Sequence, residues 1–309
     1  MKYVITGATG LIGSVITSML NVEGNRVAAI SRNKKRARNT LPKGVIALQW
    51  SEPDYKQEIA EADVVINLAG ASVGGARWTS EVRDDIMKSR TDITRNVVDA
   101  IIGSGRDESR PLALVSASAV GYYGDCGEDE VTEDRGPGDD FLATVCRKWE
   151  EEALRAEDGG YRVARMRIGL VLAHEGALQK MLYPLPVHIS PYRLGLGGPL
   201  GTGKQFWPWI HIDDVVNMFL WAAHDDAVNG AINTVAPSPE RSRDFARAIG
   251  KCLHRPAAFP VPAFALRLMV GDFSEALLTG QKAVPEAALR LGYSFIYPEL
   301  DEALRNLIQ

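Results

Sequence analysis

Three glycines at i, i+3 and i+6, Gly7, Gly10 and Gly13, stand between a short apolar strand at residues 3–6 and an apolar-periodic helix at Leu11–Val22. That spacing admits few chain paths. The first glycine permits a tight turn, and the second lets the backbone approach a pyrophosphate. The third lets the helix pack closely on the strand. An anion then lies at the helix N-terminus, where free N–H groups and the dipole favour it. The spacing is not G-x-G-x-x-G, but a second strand at residues 26–31 follows in register. The segment reads as a dinucleotide site, against the alternative of a glycine-rich turn that holds no ligand.

The end of the second strand decides which dinucleotide. An acidic residue there would accept hydrogen bonds from a ribose 2′-hydroxyl. This chain instead has Ser31-Arg32-Asn33 and then Lys34-Lys35-Arg36. A hydroxyl beside a guanidinium suits a 2′-phosphate, because arginine holds phosphate oxygens in a bidentate fork. The expected cofactor is NADP(H); a solvated basic turn is the other reading of the same residues.

Strand-like and helix-like segments alternate over the first two-thirds of the chain, the mark of a parallel sheet with crossover helices. Residues 64–67, 112–116 and 163–167 read as further strands, and 81–102 and 141–156 as helices. After about residue 170 the texture changes. Prolines crowd 183–191, glycines fill 194–203, and apolar helices are expected at 213–223 and 243–253. Residues 259 to 309 read as a small helical cap. The fold class expected is α/β, a doubly wound parallel-sheet Rossmann fold with a smaller, mostly helical C-terminal substrate lobe. Helix 213–223 is of the crossover kind and 231–236 reads as one more buried strand, so both belong with the sheet. The division expected is 1–166 and 208–239 for the nucleotide domain, and 167–207 and 240–309 for the substrate lobe, with a helical domain at about 256–302.

A net charge of −4 provides no basic footprint for nucleic acid. The expected partner is a small-molecule substrate, and the expected assembly a monomer or homodimer. Cys126, Cys146 and Cys252 fit neither a disulfide framework nor a zinc cluster, and no two of the five histidines have metal-ligand spacing, so no metal is expected. No apolar run approaches the roughly 20 residues of a membrane span. The first apolar run is broken by Gly7, Gly10 and Gly13, so it reads as a strand and not a signal peptide, and the cytoplasm is the expected compartment. A second phosphate motif is a chance match: residues 198–204 follow the first seven positions of a P-loop, but Gln205 lacks the metal-binding hydroxyl. Phe206-Trp207-Pro208 also stands where the helix should begin.

The glycine pattern, Asn67-Leu68-Ala69-Gly70 and the run from Trp209 to Asp214 together resemble the extended short-chain dehydrogenase/reductase superfamily. More narrowly, the chain is similar to its atypical epimerase-family (sugar-nucleotide-epimerase-like) branch. The resemblance rests on Ser89-Arg90, the run SASAVGYYG from Ser116 to Gly124, Leu194 to Pro199, and a small C-terminal domain around 259–298 with Gly280-Gln281-Lys282 and Gly292-Tyr293. It covers essentially the whole chain; segment 184–191 departs from it by being several residues longer. The resemblance implies NADP(H) contacts at Gly7, Thr9, Gly10, Leu11 and Ile12, at Ser31 and Arg32, at Leu68, Ala69 and Gly70, and at Asp85 and Arg90. Arg90 also lies near Ile86 and Ile93 on a core-facing stripe, where an unpaired charge is costly; a salt bridge to Asp84 or Asp85 is the alternative. Val171 is a backbone contact expected beside the nicotinamide.

The superfamily's chemistry uses a serine and a Tyr-x-x-x-Lys pair, in which the lysine lowers the tyrosine pKa so that the phenol exchanges a proton with substrate. Ser118 stands where that serine is expected. Lys148 is a candidate lysine, but Thr144 stands four residues before it, so the usual pair is missing. Lys148 to Glu152 is the kind of run that more often forms a solvated helix face. Tyr122 or Tyr123 is left to supply a phenol, with aromatic packing as the alternative, and the catalytic candidates are Ser118 and Tyr122. His211 beside Asp213 and Asp214 reads as structural. Two functions follow. One is an NADP(H)-dependent oxidoreductase or epimerase-like enzyme acting on a hydroxylated small molecule, a nucleotide sugar among the candidates. The other is a non-catalytic NADP(H)-binding sensor or structural protein.

Overall fold

A computed structural model describes residues 1–74, 77–105, 112–183 and 190–309. Residues 184–189 of the long 184–191 segment therefore lie outside the described residues.

The chain begins β1 (Lys2–Thr6), α1 (Leu11–Val22), β2 (Arg26–Ser31), α2 (Lys34–Thr40), β3 (Ile46–Gln49), α3 (Asp54–Ala60) and β4 (Val64–Asn67). It continues through α4 (Ser80–Ile102), β5 (Ala113–Ala119), a 3-10 turn at Val120–Tyr123, β6 (Glu130–Val131), α5 (Phe141–Asp158) and β7 (Arg162–Ile168). Seven strands form one parallel sheet in the order β11-β7-β5-β4-β1-β2-β3, where β11 is Gly230–Thr234 from late in the chain. This is the doubly wound α/β fold read from the sequence. The order reverses between β1 and β4, and a crevice opens there beyond the carboxyl ends of the strands.

Strand residues alternate between two cores because side chains on a pleated strand point to opposite faces. Tyr3 and Ile5 join Ile16 and Leu20 of α1 and Phe219 of α7 (Ile212–His224), whereas Val4 joins Ile59, Val97, Ile101 and Ala153 of α3, α4 and α5. Both faces are covered, so the strands read as near-continuous apolar runs. Arg162 donates to Ala222 O at 2.7 Å and Ala223 O at 3.2 Å, occupying carbonyls that the end of α7 leaves free.

The strand expected at 163–167 runs from Arg162 to Ile168, and a separate strand follows it. At Gly169 a Cβ would lie 2.6 Å from Pro208 O, and the chain bends there. β7 stops, and β8 (Leu170–Leu172) pairs with β10 (Trp209–His211) in a separate parallel pair. β5 runs beyond the expected 112–116 to Ala119, so Ser118 lies inside a strand.

The later elements are α6 (Ala177–Leu182), β9 (Phe206–Trp207), β12 (Glu240–Arg241), α8 (Ser242–Cys252), α9 (Ala263–Val270), α10 (Phe273–Leu278), β13 (Lys282–Ala283), α11 (Glu286–Arg290) and α12 (Leu300–Ile308). A third core gathers Leu172, Trp209, Phe245, Ile249, Leu304 and Leu307. Asp214, fully buried, ties the late chain to α7 by accepting from Ile296 N at 2.8 Å and Tyr297 N at 2.9 Å. No strand-to-helix turn follows the P-loop-like residues 198–204, where β9 begins instead. Among the described residues no helix is long and apolar enough to cross a membrane.

Candidate functional site

The crevice holds a cavity of about 460 Å³. Its floor is the turn between β1 and α1, and the glycines there do what the spacing requires. Gly7 has φ 70°, and a Cβ on it would lie 2.7 Å from both the carbonyl carbon and oxygen of Leu68. At Gly13 a Cβ would lie 2.3 Å from Gly7 O, so only glycine lets α1 come this close to β1. Gly10 caps α1 without a side-chain hydrogen bond, and no acidic residue occupies its first turn. That leaves the positive end of the helix open to an anion.

Leu68, Gly70 and Val73 extend this wall beyond β4, and Ala117, Ser118 and Ala119 of β5 with Gly121 of the 3-10 turn extend it further. α5 closes the far side with Leu142, Val145, Cys146 and Trp149. Beneath the cavity, buried Asn67 accepts from Thr6 Oγ1 at 2.6 Å and donates to Thr94 Oγ1 at 2.8 Å and Ser116 Oγ at 3.2 Å. Trp149 Nε1 donates to the same Thr94 hydroxyl at 2.9 Å. This network satisfies the polar groups of β1, β4, α4 and α5 where their burial would otherwise be costly.

Arg90 lines the cavity. Its guanidinium donates to Ile86 O and Ala71 O, both at 3.0 Å, and its Cζ lies 5.2 Å from the Trp149 ring centroid. The salt bridge weighed as an alternative is not formed: Asp84 pairs with Lys88 at 3.2 Å, and Asp85 is exposed. Burial lowers the Arg90 pKa, and among the described residues no carboxylate lies within ion-pair distance.

The other sequence-derived cofactor residues and Ser118 fall in four groups. Gly7, Gly10, Leu11, Ile12, Leu68, Gly70 and Ser118 line the same cavity. Thr9 and Ala69 belong to its two loops but do not line it; Ala69 N donates to Thr6 Oγ1 at 3.2 Å. Ser31 ends β2 and Arg32 follows it, apart from the cavity. Asn33 N donates to Ser31 Oγ at 3.2 Å, and exposed Arg32 has no ion pair among the described residues. Val171 sits opposite Ile210 in the β8–β10 pair, outside the cavity wall.

Tyr122 is not on that wall. Its ring lies under the Arg167 guanidinium, 3.6 Å from centroid to Cζ. Tyr123 turns inward: its hydroxyl donates to Asn233 Oδ1 at 2.6 Å and accepts from Arg167 at 2.9 Å. Burial pushes its pKa up to about 12, and its hydroxyl is engaged by Asn233 and Arg167 away from the cavity wall.

The i, i+4 pairs that α5 presents to the cavity are Leu142/Cys146 and Val145/Trp149, not Thr144 and Lys148. Lys148 is exposed. Cys146 is buried, and burial pushes its thiol up to about 12. The wall that would carry a phenol and an ammonium is thus apolar.

Glu150 corrects the solvated-face reading of Lys148 to Glu152. Its carboxylate is buried and accepts four hydrogen bonds: Ser118 Oγ at 2.7 Å, Arg165 at 2.8 Å, and Arg167 Nε and Nη2 both at 2.9 Å. Burial alone would lower the Arg167 pKa, but hydrogen bonding to Glu150 and its charge raise it above the ordinary arginine value. Ser118 Oγ therefore spends its proton on Glu150 and keeps lone pairs for other partners. Glu150 was the functional neighbour that sequence reading missed. A run of three glutamates signals solvent, and only the register that sets Ser118 opposite Arg167 shows otherwise. His211 is structural: it caps α7 through Asp213 N, hydrogen-bonds Asn306 at 3.1 Å and stacks on Tyr297 at 3.9 Å. No cluster of three or more potential metal ligands occurs among the described residues.

Comparison with known proteins adds to this geometry. The model of the NAD dependent epimerase/dehydratase family matches residues 3–234, and a domain of unknown function, DUF1731, matches 261–307. The epimerase family protein YfhF of Bacillus subtilis is 37% identical, with 100% of this chain and 98% of that protein covered. The epimerase family protein SDR39U1 homolog, chloroplastic, of Arabidopsis thaliana is also 37% identical, over 100% of this chain and 87% of that one. The crystal structure of human epimerase family protein SDR39U1 (isoform 2) with NADPH superposes with a TM-score of 0.84 at 33% identity, covering 99% of both chains.

Proposed function

Because the chain belongs to the NAD dependent epimerase/dehydratase family, we propose that it is an NADP(H)-dependent oxidoreductase or epimerase-like enzyme acting on a hydroxylated small molecule. The fit of the cleft to the cofactor carries the reading. Gly7 and Gly13 allow the backbone contacts that set the turn against Leu68 and bring α1 close to β1, the first turn of α1 has no side-chain cap, and Arg32 has no ion-pair partner among the described residues. Gly7, Thr9, Gly10, Leu11 and Ile12 would hold the pyrophosphate, and Ser31 and Arg32 a 2′-phosphate. Leu68, Ala69 and Gly70, together with Asp85, Arg90 and Val171, would complete the site. The NADPH of the human relative's crystal structure supports the choice of cofactor. When bound, the nicotinamide supplies a hydride donor or acceptor. Ser118 would orient a substrate oxygen from the cavity wall, held in place by Glu150.

A second reading, a non-catalytic NADP(H) binder, is favoured by one observation: the apolar Leu142 and Cys146 on the wall where proton-transfer groups are needed. Under either reading we assign 1–166 and 208–239 to the nucleotide domain, and 167–207 with 240–309 to the substrate lobe. The pairing of β11 with β7 and the separate match over 261–307 support that division.

Calorimetry with NADPH and NADH tests the cofactor. One charge-assisted phosphate contact is worth roughly 1.5–3 kcal/mol, so NADPH is expected to bind about tenfold tighter or better. Arg32→Asp should erase or reverse the preference. Equal affinities in the wild type would overturn it.

A further inference from the structure

A second cavity, of about 470 Å³, opens away from the crevice, between α8 and the strap 255–258, with Pro199 on its wall. α8 buries Phe245, Ala246, Ile249 and Cys252, so residues 243, 247 and 251, four apart, share its outward face. Arg243, Arg247 and Lys251 line the cavity from that face, and Arg255 lines it from the strap. The strap is held against the helix. The chain leaves α8 through His254 at φ 53°, and Arg255 N donates to Gly250 O at 2.9 Å. A Cβ on Gly250 would lie 2.8 Å from Ala257 Cβ, so no larger residue would let the two segments meet. Backbone packing thus fixes where the four cationic side chains start.

Their charge is only half matched. Asp244 serves Arg247 at 2.9 Å and Arg243 at 3.7 Å, and Asp301 serves Lys251. Arg255 Nε goes to the backbone oxygen of Arg193 at 3.1 Å, with no carboxylate in ion-pair range among the described residues. Within ion-pair distance four cations meet two carboxylates, with Glu128 acting on Arg243 from further off, and the positive excess suits a phosphate monoester. Arginine forks suit its oxygens.

The rim is apolar. A Cβ on Gly195 would lie 3.3 Å from Pro256 Cγ, so the turn carrying Leu194 and Leu196 rests against the strap. These leucines are 62% and 56% exposed, and Phe259, next along the strap, is 56% exposed. Single exposed apolar residues are ordinary, whereas several large ones beside one charged hollow mark a binding surface.

We propose that this groove binds a phosphate monoester carried on an apolar group, with the phosphate among Arg243, Arg247, Lys251 and Arg255 and the apolar part against Leu194, Leu196 and Phe259. The site is separate from the nucleotide cleft and does not depend on its assignment. The test is calorimetry on the whole chain with and without NADPH, using hexyl phosphate and inorganic phosphate, with co-sedimentation on phosphatidylcholine vesicles with and without phosphatidic acid. Hexyl phosphate is expected to bind about tenfold more tightly than inorganic phosphate. The double variant Arg247→Ala/Lys251→Ala should weaken it about tenfold or more with an unchanged melting temperature. Leu196→Ser should weaken hexyl phosphate and leave inorganic phosphate unaffected. Binding of free hexyl phosphate assigns a soluble organic phosphate. Binding only to the anionic vesicles, lost in the double variant, assigns the same chemistry to lipid headgroups. Binding to neither, or binding that the double variant leaves unchanged, overturns the proposal.

Discussion

Replacing Glu150 by leucine removes the group on which Ser118, Arg165 and Arg167 converge. The Glu150 and Arg167 side chains are each 3% exposed, so water cannot take over the lost contacts. Arg167 would keep its bonds to Tyr123 Oη and Glu133 O but carry a buried charge without its counter-ion. Breaking a buried pair from one side costs about 3–5 kcal/mol. At roughly 2–4 °C per kcal/mol for larger domains, the melting temperature should fall by about 10 °C. Removing both partners, in Glu150→Leu/Arg167→Met, strands no charge at that pair. The double variant is therefore expected to be more stable than Glu150→Leu alone, with a coupling of order 1–3 kcal/mol. Denaturant unfolding of wild type, both single variants and the double variant measures this directly. A loss under about 1 kcal/mol in Glu150→Leu, or strict additivity, would show that the pair is screened by solvent and refute the argument.

Gly13→Ala should lose about 1–3 kcal/mol and weaken NADPH binding together, since its methyl would meet Gly7 O at 2.3 Å; thermal melts with and without NADPH check it. Ser118→Ala should leave NADPH affinity nearly intact while abolishing whatever turnover a substrate screen finds. Tyr122→Phe, with its ring under Arg167, should retain that turnover; the opposite pattern would put the phenol in the mechanism. A fragment ending near residue 165 lacks β11, half of β7 and all of α7, and is expected to fold poorly. A cooperative, monomeric fragment that binds NADPH like the whole chain would refute the interleaved division.

The nucleotide cleft was legible because its signals are local. Gly7, Gly10 and Gly13 act on their own turn, strands buried on both faces are plain apolar runs, and Arg32 follows its strand by one residue. The missing tyrosine before Lys148 was also plain. What the α5 face does was not, because helical periodicity marks a stripe without saying which cavity it meets. Leu142 and Cys146 stand where Thr144 and Lys148 were weighed, since Trp149 and Ala153 anchor the helix phase against the sheet. Glu150 looked solvated among three glutamates. It is buried because β5 and β7 pair in a register that sets Ser118 beside Arg167, joining groups 17 and 32 residues away from it. Local sequence determined the backbone of the proposed cofactor turn, since turn and strand preferences act over a few residues. The surroundings of Ser118 were decided only by tertiary structure, because a charge becomes buried or solvated according to what distant segments bring against it.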